Sequence, residues 1–231
     1  MIDDLCRPMN YSRPPWPNPP PSDRDGGRLR RRRRPLRRLR PKLARPRATG
    51  SRDTRRVRRT RAGRRTPAVA EAGCGPGYMT AHLRNLGLDA FGIDLSPALI
   101  DIARKDHPDL RFEVGSMGAF DVADGELGGL LSWYSVIHIQ PPELPPYFAE
   151  FRRVLASGGY LLLGFFESEG GPVLQFDHRV APANRWPIDD LADLARKEEF
   201  VEVARMLREP LEDERFRRGH LLMRRQAAAM C

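Results

Sequence analysis

From Val69 to Phe166, short apolar runs alternate with polar breaks and with stretches whose apolar residues recur at helical spacing. Val69-Ala70 ends a first predicted strand, and Gly73 to Gly77 form a loop. Tyr78 to Leu86 is a predicted helix with Met79, Leu83 and Leu86 on one face and Gly87 as its stop signal. Asp89 to Asp94 is the second strand. Ser96-Pro97 then supplies an N-cap followed by proline at the first helical position. That helix runs to about Lys105, turns Leu99, Ile102 and Ala103 inward, and ends before Pro108. Leu110 to Val114 is the third strand. Gly129 to Ser135 is the fourth, a near-continuous apolar run of the kind covered on both faces. Pro141-Pro142 opens a helix to about Leu155, and Ser157-Gly158-Gly159 turns the chain into a fifth strand, Tyr160 to Phe166. This alternation predicts an α/β chain with a doubly wound, mostly parallel sheet.

Beyond Phe166 the pattern weakens. Glu167 to Pro172 reads as a loop, and Val173 to Trp186 has no clear period. A helix opens at Pro187 and continues through Lys197. Phe200 to Leu207 and His220 to Arg224 read as two strands with a charged connection.

Charge changes the picture at the other end. The net charge of +10 conceals a split: residues 1–66 hold 23 of the 40 Lys+Arg and 5 of the 30 Asp+Glu, hence +18, which leaves 17 and 25, hence −8, for residues 67–231. The first 66 residues include the proline tract Pro14 to Pro21 and the arginine run Arg30 to Arg34, with almost no apolar periodicity. Such a chain cannot bury enough apolar area to offset its ordering entropy, so residues 1–66 are expected to be a disordered Arg/Pro-rich segment and residues 67–231 the folded domain. Cys6, Cys74 and Cys231 are scattered, with no disulfide framework or metal-ligand spacing. They suit a reducing, cytoplasmic setting, and no bound metal is expected. No apolar run reaches the length of a membrane span, and no apolar stretch behind the basic N-terminus suggests a secretory signal.

The candidate chemistry lies in Val69-Ala70-Glu71-Ala72-Gly73-Cys74-Gly75-Pro76-Gly77 and Phe91-Gly92-Ile93-Asp94. A glycine loop between strand and helix lets backbone approach a ligand that side chains would block, and a carboxylate at the next strand's end can accept two ribose hydroxyls. Asp94 lies 17 positions past Gly77, close to the offset of a ribose-binding acid; the same residue could instead cap the helix after Ser96. The dinucleotide fingerprint G-x-G-x-x-G would need glycine where Tyr78 stands, and no Gly-Lys-Ser/Thr follows for a P-loop. The pocket therefore suits a nucleoside ligand without phosphates.

With these residues, Val69 to Phe166 resembles a class I S-adenosylmethionine-dependent methyltransferase of the bacterial small-molecule type. Further matching elements are Val114-Gly115-Ser116-Met117, Trp133-Tyr134-Ser135-Val136-Ile137-His138, and Glu150 to Leu163 with its Ser157-Gly158-Gly159 turn. The resemblance implies a Rossmann-like sheet closed by a C-terminal antiparallel hairpin, S-adenosyl-L-methionine as cofactor, and a small molecule as methyl acceptor. It implies cofactor binding by Gly73, Cys74, Gly75 and Gly77, with Glu71 near the ligand's amino group, directly or through water; a solvated strand-end carboxylate is the competing reading of Glu71. It places Asp94 on the ribose, Leu95 over an adenine face, and Ser116 and Met117 at the adenine, although a core role suits Met117 nearly as well. Tyr134 and Ser135 would lie near the cofactor and its methyl group. His138 is the candidate general base, its ordinary pKa being near neutrality, and a structural or solvent-facing histidine is the competing reading. His178 and Trp186 fall where acceptor contacts vary, and nothing singles them out.

The family usually carries a helical N-terminal segment, often opening Tyr-Asp-x-x-Ala-x-x-Tyr, where the arginine run lies here. Arginine codons read one nucleotide later begin with G, and leucine codons with T. Arg28 to Arg37 can thereby become Asp-Tyr-Asp-Ala-Val-Ala-Ala-Arg-Tyr-Ala. The segment is thus compatible with a shifted reading frame upstream of Pro67, and the nucleotide sequence settles it. A nucleic-acid-binding arm and a solubilising tail are the other readings. Two alternative functions remain: a nucleic-acid or protein methyltransferase recognising its target through the basic arm, and a non-catalytic or damaged methyltransferase-like chain. The acidic charge of residues 67–231, and the lack of an Asn/Asp-Pro-Pro-Tyr/Phe motif after the fourth strand, argue against nucleic acid.

Overall fold

The structure is a computed structural model and describes residues 67–227; the expectation of disorder over residues 1–66 lies outside them. Its elements run β1 (Val69–Ala72), α1 (Tyr78–Asn85), β2 (Ala90–Asp94), α2 (Pro97–Asp106), β3 (Arg111–Val114), β4 (Leu127–Trp133), α3 (Pro145–Val154), β5 (Leu155–Phe166), β6 (Leu174–Phe176), β7 (Ala183–Arg185), α4 (Ile188–Lys197), β8 (Phe200–Arg208) and β9 (Arg218–Arg225). Seven strands form one sheet in the order β3-β2-β1-β4-β5-β9-β8. The first five are parallel, because each in-sheet return needs a crossover that α1, α2 or α3 supplies between neighbours. β9 runs antiparallel to β5, and β8 antiparallel to β9 at the edge, which is the expected C-terminal hairpin. From β1 the chain winds outward through β2 to β3 and then crosses back to β4 on β1's other side. The winding therefore reverses between β1 and β4, and the region beyond the carboxyl ends of strands at such a switch point is where open α/β sheets hold ligands.

The apolar run of β4 is explained by cover on both faces. Leu127 and Leu130 join Phe148, Phe151 and Val154 of α3 and Leu191, Ala192 and Ala195 of α4 in the main core. Leu131 faces Met79 and Leu83 of α1 on the other side.

Four expectations shift. Leu86 is not on the buried face of α1; the helix ends at Asn85 and Leu86 is exposed as its cap, with Gly87 at φ 86° turning the chain out. The inner face of α2 is Ile100 and Ala103, packed on Cys74 and Phe112, while Leu99 is half-buried and Ile102 exposed. The proline-opened helix is two pieces: a 3-10 turn at Pro141–Glu143, then α3 from Pro145. Pro145 and Pro146 have no N–H to continue a ladder from the preceding turn, so the helix restarts there. Finally, β5 begins at Leu155, not Tyr160. The Ser157–Gly159 turn persists as an irregularity in the ladder: Leu127 pairs with Leu155, but Gly129 pairs with Tyr160, and Gly158 sits at φ 78°.

The segment without period holds the short antiparallel pair β6–β7, with Leu174 opposite Arg185 and Phe176 opposite Ala183. Strands of three residues have too few alternations to register as a pattern.

Candidate functional site

The loop after β1 folds back on the end of β2. The amides of Gly73 and Cys74 both donate to the Ile93 carbonyl, at 2.9 and 2.8 Å, and the Gly77 amide donates to the Cys74 carbonyl at 2.9 Å before α1 begins. Gly73 has φ 71°, and a Cβ there would stand 2.4 Å from the Cβ of Ser135, so glycine is what lets the ends of β1 and β4 meet. Gly75 differs: its φ is 52° and a Cβ would meet nothing within 4 Å. Its backbone faces open space. Gly77 is buried beside the Phe112 ring.

Asp94 ends β2 with both carboxylate oxygens on backbone: Oδ2 accepts from the Gly75 amide and Oδ1 from the Ser96 amide, each at 2.8 Å. Each oxygen keeps a further lone pair, so the carboxylate can brace the loop and still accept two hydroxyls. Ser96 itself caps α2, its Oγ accepting from the Leu99 amide at 3.4 Å. Capping thus belongs to Ser96, and Asp94 ties the glycine loop to the helix entry.

Beneath the loop lies a buried polar group. The Glu71 side chain, 3 % exposed, accepts a short hydrogen bond from the Thr80 hydroxyl of α1. Burial pushes the Glu71 pKa up to about 8, with the neighbouring Asp94 charge adding to the rise and the Thr80 hydroxyl opposing it. Burial, with the charges of Glu71 and Asp94, also pushes the Cys74 thiol up, so Cys74 is a neutral packing residue and no nucleophile. The Glu71 shift has a measurable consequence. A carboxyl whose folded pKa exceeds its unfolded value contributes stability that is full below about 4.5 and is lost as pH rises towards about 8. The melting temperature is expected to fall across that window, and Glu71→Gln to flatten the decline. A profile unchanged by the substitution would show that Glu71 titrates normally.

Ser135 is buried, and its hydroxyl donates to the Ala72 carbonyl at 2.5 Å and meets Ser132 Oγ at 2.7 Å. It clamps β4 to β1 next to Gly73. Tyr134, one residue earlier, has φ 54°, a left-handed conformation that strains a tyrosine and clusters at functional sites. Its amide donates to Gly164 at 2.8 Å, and its ring turns to Phe166, 5.0 Å away. Burial raises the Tyr134 phenol to about 12.

Beyond the loop, Leu95 is 67 % exposed and Met117 reaches the glycines, its Cε 3.6 Å from where a Gly73 side chain would start. Ser116 closes a tight turn, its Oγ accepting from the Gly118 amide at 3.1 Å. Gly115, just before it, donates to the Asp94 carbonyl at 3.0 Å; it has no positive φ, and a Cβ would meet nothing within 4 Å. Neither strain nor crowding within the chain explains that glycine.

His138 stands apart from the loop, in a 3-10 turn after β4. Its Nδ1 is 3.1 Å from the Pro182 carbonyl, and its ring lies 5.2 Å from that of His178. The structure thus gathers Glu71, Gly73, Cys74, Gly75, Gly77, Asp94, Met117 and Ser135 around one loop, with Leu95, Ser116 and Tyr134 at its margins. Sequence reasoning missed Thr80, whose only signal is a polar residue on the inner side of α1, and the ring partners of Tyr134. Trp186, unassigned in the sequence, is a buried core residue.

Residues 69–159 match the family described as methyltransferase domain. Magnesium-protoporphyrin O-methyltransferase of Rhodobacter capsulatus is 40 % identical over 91 residues, covering 37 % of this chain and 39 % of that protein. Demethylmenaquinone methyltransferase of Chlorobaculum parvum is 31 % identical over 98 residues, covering 42 % and 40 %. The chain thus spans about two fifths of the length of these two relatives. The fold matches that of Burkholderia thailandensis 1,6-didemethyltoxoflavin-N1-methyltransferase, solved with S-adenosylhomocysteine, at a TM-score of 0.59 and 22 % identity over 69 % of this chain and 71 % of that one. Residues 69–159 thus match a methyltransferase domain, and the strand order and glycine loop around them are those that the resemblance to the class I S-adenosylmethionine-dependent methyltransferases implies.

Proposed function

We propose that residues 67–231 form a cytoplasmic methyltransferase domain that moves a methyl group from S-adenosylmethionine to a small-molecule acceptor. The observation that carries this reading is the pair of glycines facing open space, Gly75 and Gly115, on either side of a carboxylate with lone pairs to spare. Asp94 holds the ribose hydroxyls. Gly115 leaves room for the adenine, with Met117 and Leu95 against its faces and Ser116 at its edge. Gly73 and Gly75 present backbone to the methionine end, and Glu71 answers its amino group. The cofactor, once bound, supplies an activated methyl group on a cationic sulfur, so the chain need only align an acceptor and remove a proton. His138 takes that proton. Its Nδ1 hydrogen points at the Pro182 carbonyl, which leaves the Nε2 lone pair as the acceptor. Two of the relatives are named for small molecules, magnesium-protoporphyrin and demethylmenaquinone, which supports the acceptor class. The acidic charge of residues 67–231 supports it against a nucleic acid.

Calorimetric titration of the full-length chain with S-adenosylhomocysteine tests the reading. Saturable one-to-one binding is expected. Gly115→Leu should fill the adenine space and weaken binding at least about tenfold, while the melting temperature changes little because a Cβ there has no protein atom within 4 Å. No saturable binding to the unsubstituted chain would overturn the reading.

A further inference from the structure

Past the end of β5 lies a group of rings and guanidiniums that the cofactor reading does not use. Phe166 lies 5.3 Å from Phe176 and 6.0 Å from Phe216, which are 4.8 Å from each other. His178 is 5.9 Å from Phe166 and carries the cluster on to His138. Tyr134, Phe176 and Phe216 remain only half-buried. The cluster adjoins the glycine loop through two consecutive residues: Tyr134 touches Phe166, and Ser135 abuts Gly73.

Arginines lie over these rings. Arg218 stands 4.6 Å from the Phe166 centroid and 5.1 Å from that of Tyr134. Arg185 and Arg215 lie over Phe216 at 4.5 and 4.7 Å. One carboxylate, Glu214, answers this charge, and it is shared: Arg208 holds it at 2.7 Å and Arg218 only at 3.3 Å. Arg185 has no carboxylate partner among the described residues, and the Nε atoms of Arg185 and Arg218 are buried without any hydrogen-bond partner. Buried donors on charged groups are rarely left so, because each forfeits its hydration with nothing in return.

Flat faces and unanswered cationic donors at one place ask for a ligand with both complements. We propose that this cluster is the acceptor subsite, and that it selects a planar aromatic molecule bearing an acidic group, a carboxylate or an ionised hydroxyl, on its ring. A neutral arene would leave the guanidiniums unanswered. A quaternary cation, which rings alone would welcome, is opposed by Arg185, Arg215 and Arg218. An aliphatic acid would satisfy the charge and waste the ring faces. What becomes of the bound arene rests on the methyltransferase reading; its recognition does not.

The test uses 3-hydroxy-2-naphthoate, titrated into the full-length chain and followed by its fluorescence, with 2-naphthol as the neutral arene of the same ring system. Titrations are run with and without S-adenosylhomocysteine. The naphthoate is expected to bind at least about tenfold more tightly than 2-naphthol, the scale of one hydrogen bond to a charged group. Arg185→Gln should remove most of that preference. Arg215→Gln, at an exposed position, should reduce it too, and guards against a variant that fails to fold. Phe176→Leu should weaken both ligands. Equal binding of the two arenes, no arene binding, or a preference unchanged in both arginine variants would overturn the subsite even where S-adenosylhomocysteine binds normally. A preference that depends on the arginines in a chain that ignores S-adenosylhomocysteine would uphold the subsite and sink the cofactor reading instead.

Discussion

Asp94→Ala is expected to weaken S-adenosylhomocysteine binding by about a hundredfold. Two hydroxyls bonded to one carboxylate, at about 1.5 kcal/mol each for charge-assisted bonds, amount to about 3 kcal/mol, or two orders of magnitude in affinity. The substitution also strips acceptors from the Gly75 and Ser96 amides, now held at 2.8 Å, so the loop loses its brace on the helix entry. Asp94→Asn separates the two contributions. Its amide oxygen can still accept from one backbone N–H, but its NH2 group faces the other donor to donor, and the charge is gone. Affinity should fall between that of the original chain and that of Asp94→Ala. Calorimetry reads the binding, and a melt run in parallel reads the brace. An Asp94→Ala chain that binds within about threefold of the original would remove Asp94 from the ribose site.

Legibility in the sequence followed locality. The glycine loop, Asp94 and the Ser96-Pro97 helix entry are each defined within a few residues, and the structure builds them where the motif spacing puts them. The parallel alternation was legible for the same reason: the five strands read as short apolar runs, and the helices between neighbouring strands by their spacing or their proline entries. Helix phase was less so. On α2, Leu99 and Ile102 make as good an apolar stripe as Ile100 and Ala103, and only the presence of Cys74 and Phe112 beneath the helix decides between them. The Glu71–Thr80 contact needs the α1 N-terminus laid over β1, a tertiary fact. Least legible is the ring cluster. Tyr134, Phe166, Phe176 and Phe216 come from four separate stretches of chain and meet only because β9 pairs with β5 and the β6–β7 pair folds across the strand ends. Tyr134 adds a left-handed backbone, which nothing in Trp133-Tyr134-Ser135 foretells. Ser135 was legible in place but not in use: it stands beside the loop as expected, and its hydroxyl is engaged by Ala72 and Ser132.

Gly73→Ala is expected to destabilise the fold by about 3 kcal/mol. Overpacking contributes about 1–3 kcal/mol, because the new Cβ would sit 2.4 Å from Ser135 Cβ, and a left-handed alanine adds about 1 kcal/mol at φ 71°. The cause can be isolated. In a Ser135→Gly background the opposing Cβ is absent, and the penalty of Gly73→Ala should shrink to the backbone part, about 1 kcal/mol. Ser135→Gly alone loses the hydroxyl's bonds to Ala72 and Ser132, so its own loss must be subtracted before the comparison. Urea denaturation of the four chains closes the cycle. A Gly73→Ala penalty that is unchanged in the Ser135→Gly background would mean that the approach of β1 to β4 is not what requires glycine. The functional weight of that approach is that it joins two sites. Gly73 touching Ser135 brings the ligand-facing loop against the end of β4, and Ser135 carries Tyr134, whose ring begins the aromatic cluster. Any side chain at position 73 would part the loop from β4, and with it the methyl donor from the place proposed for its acceptor.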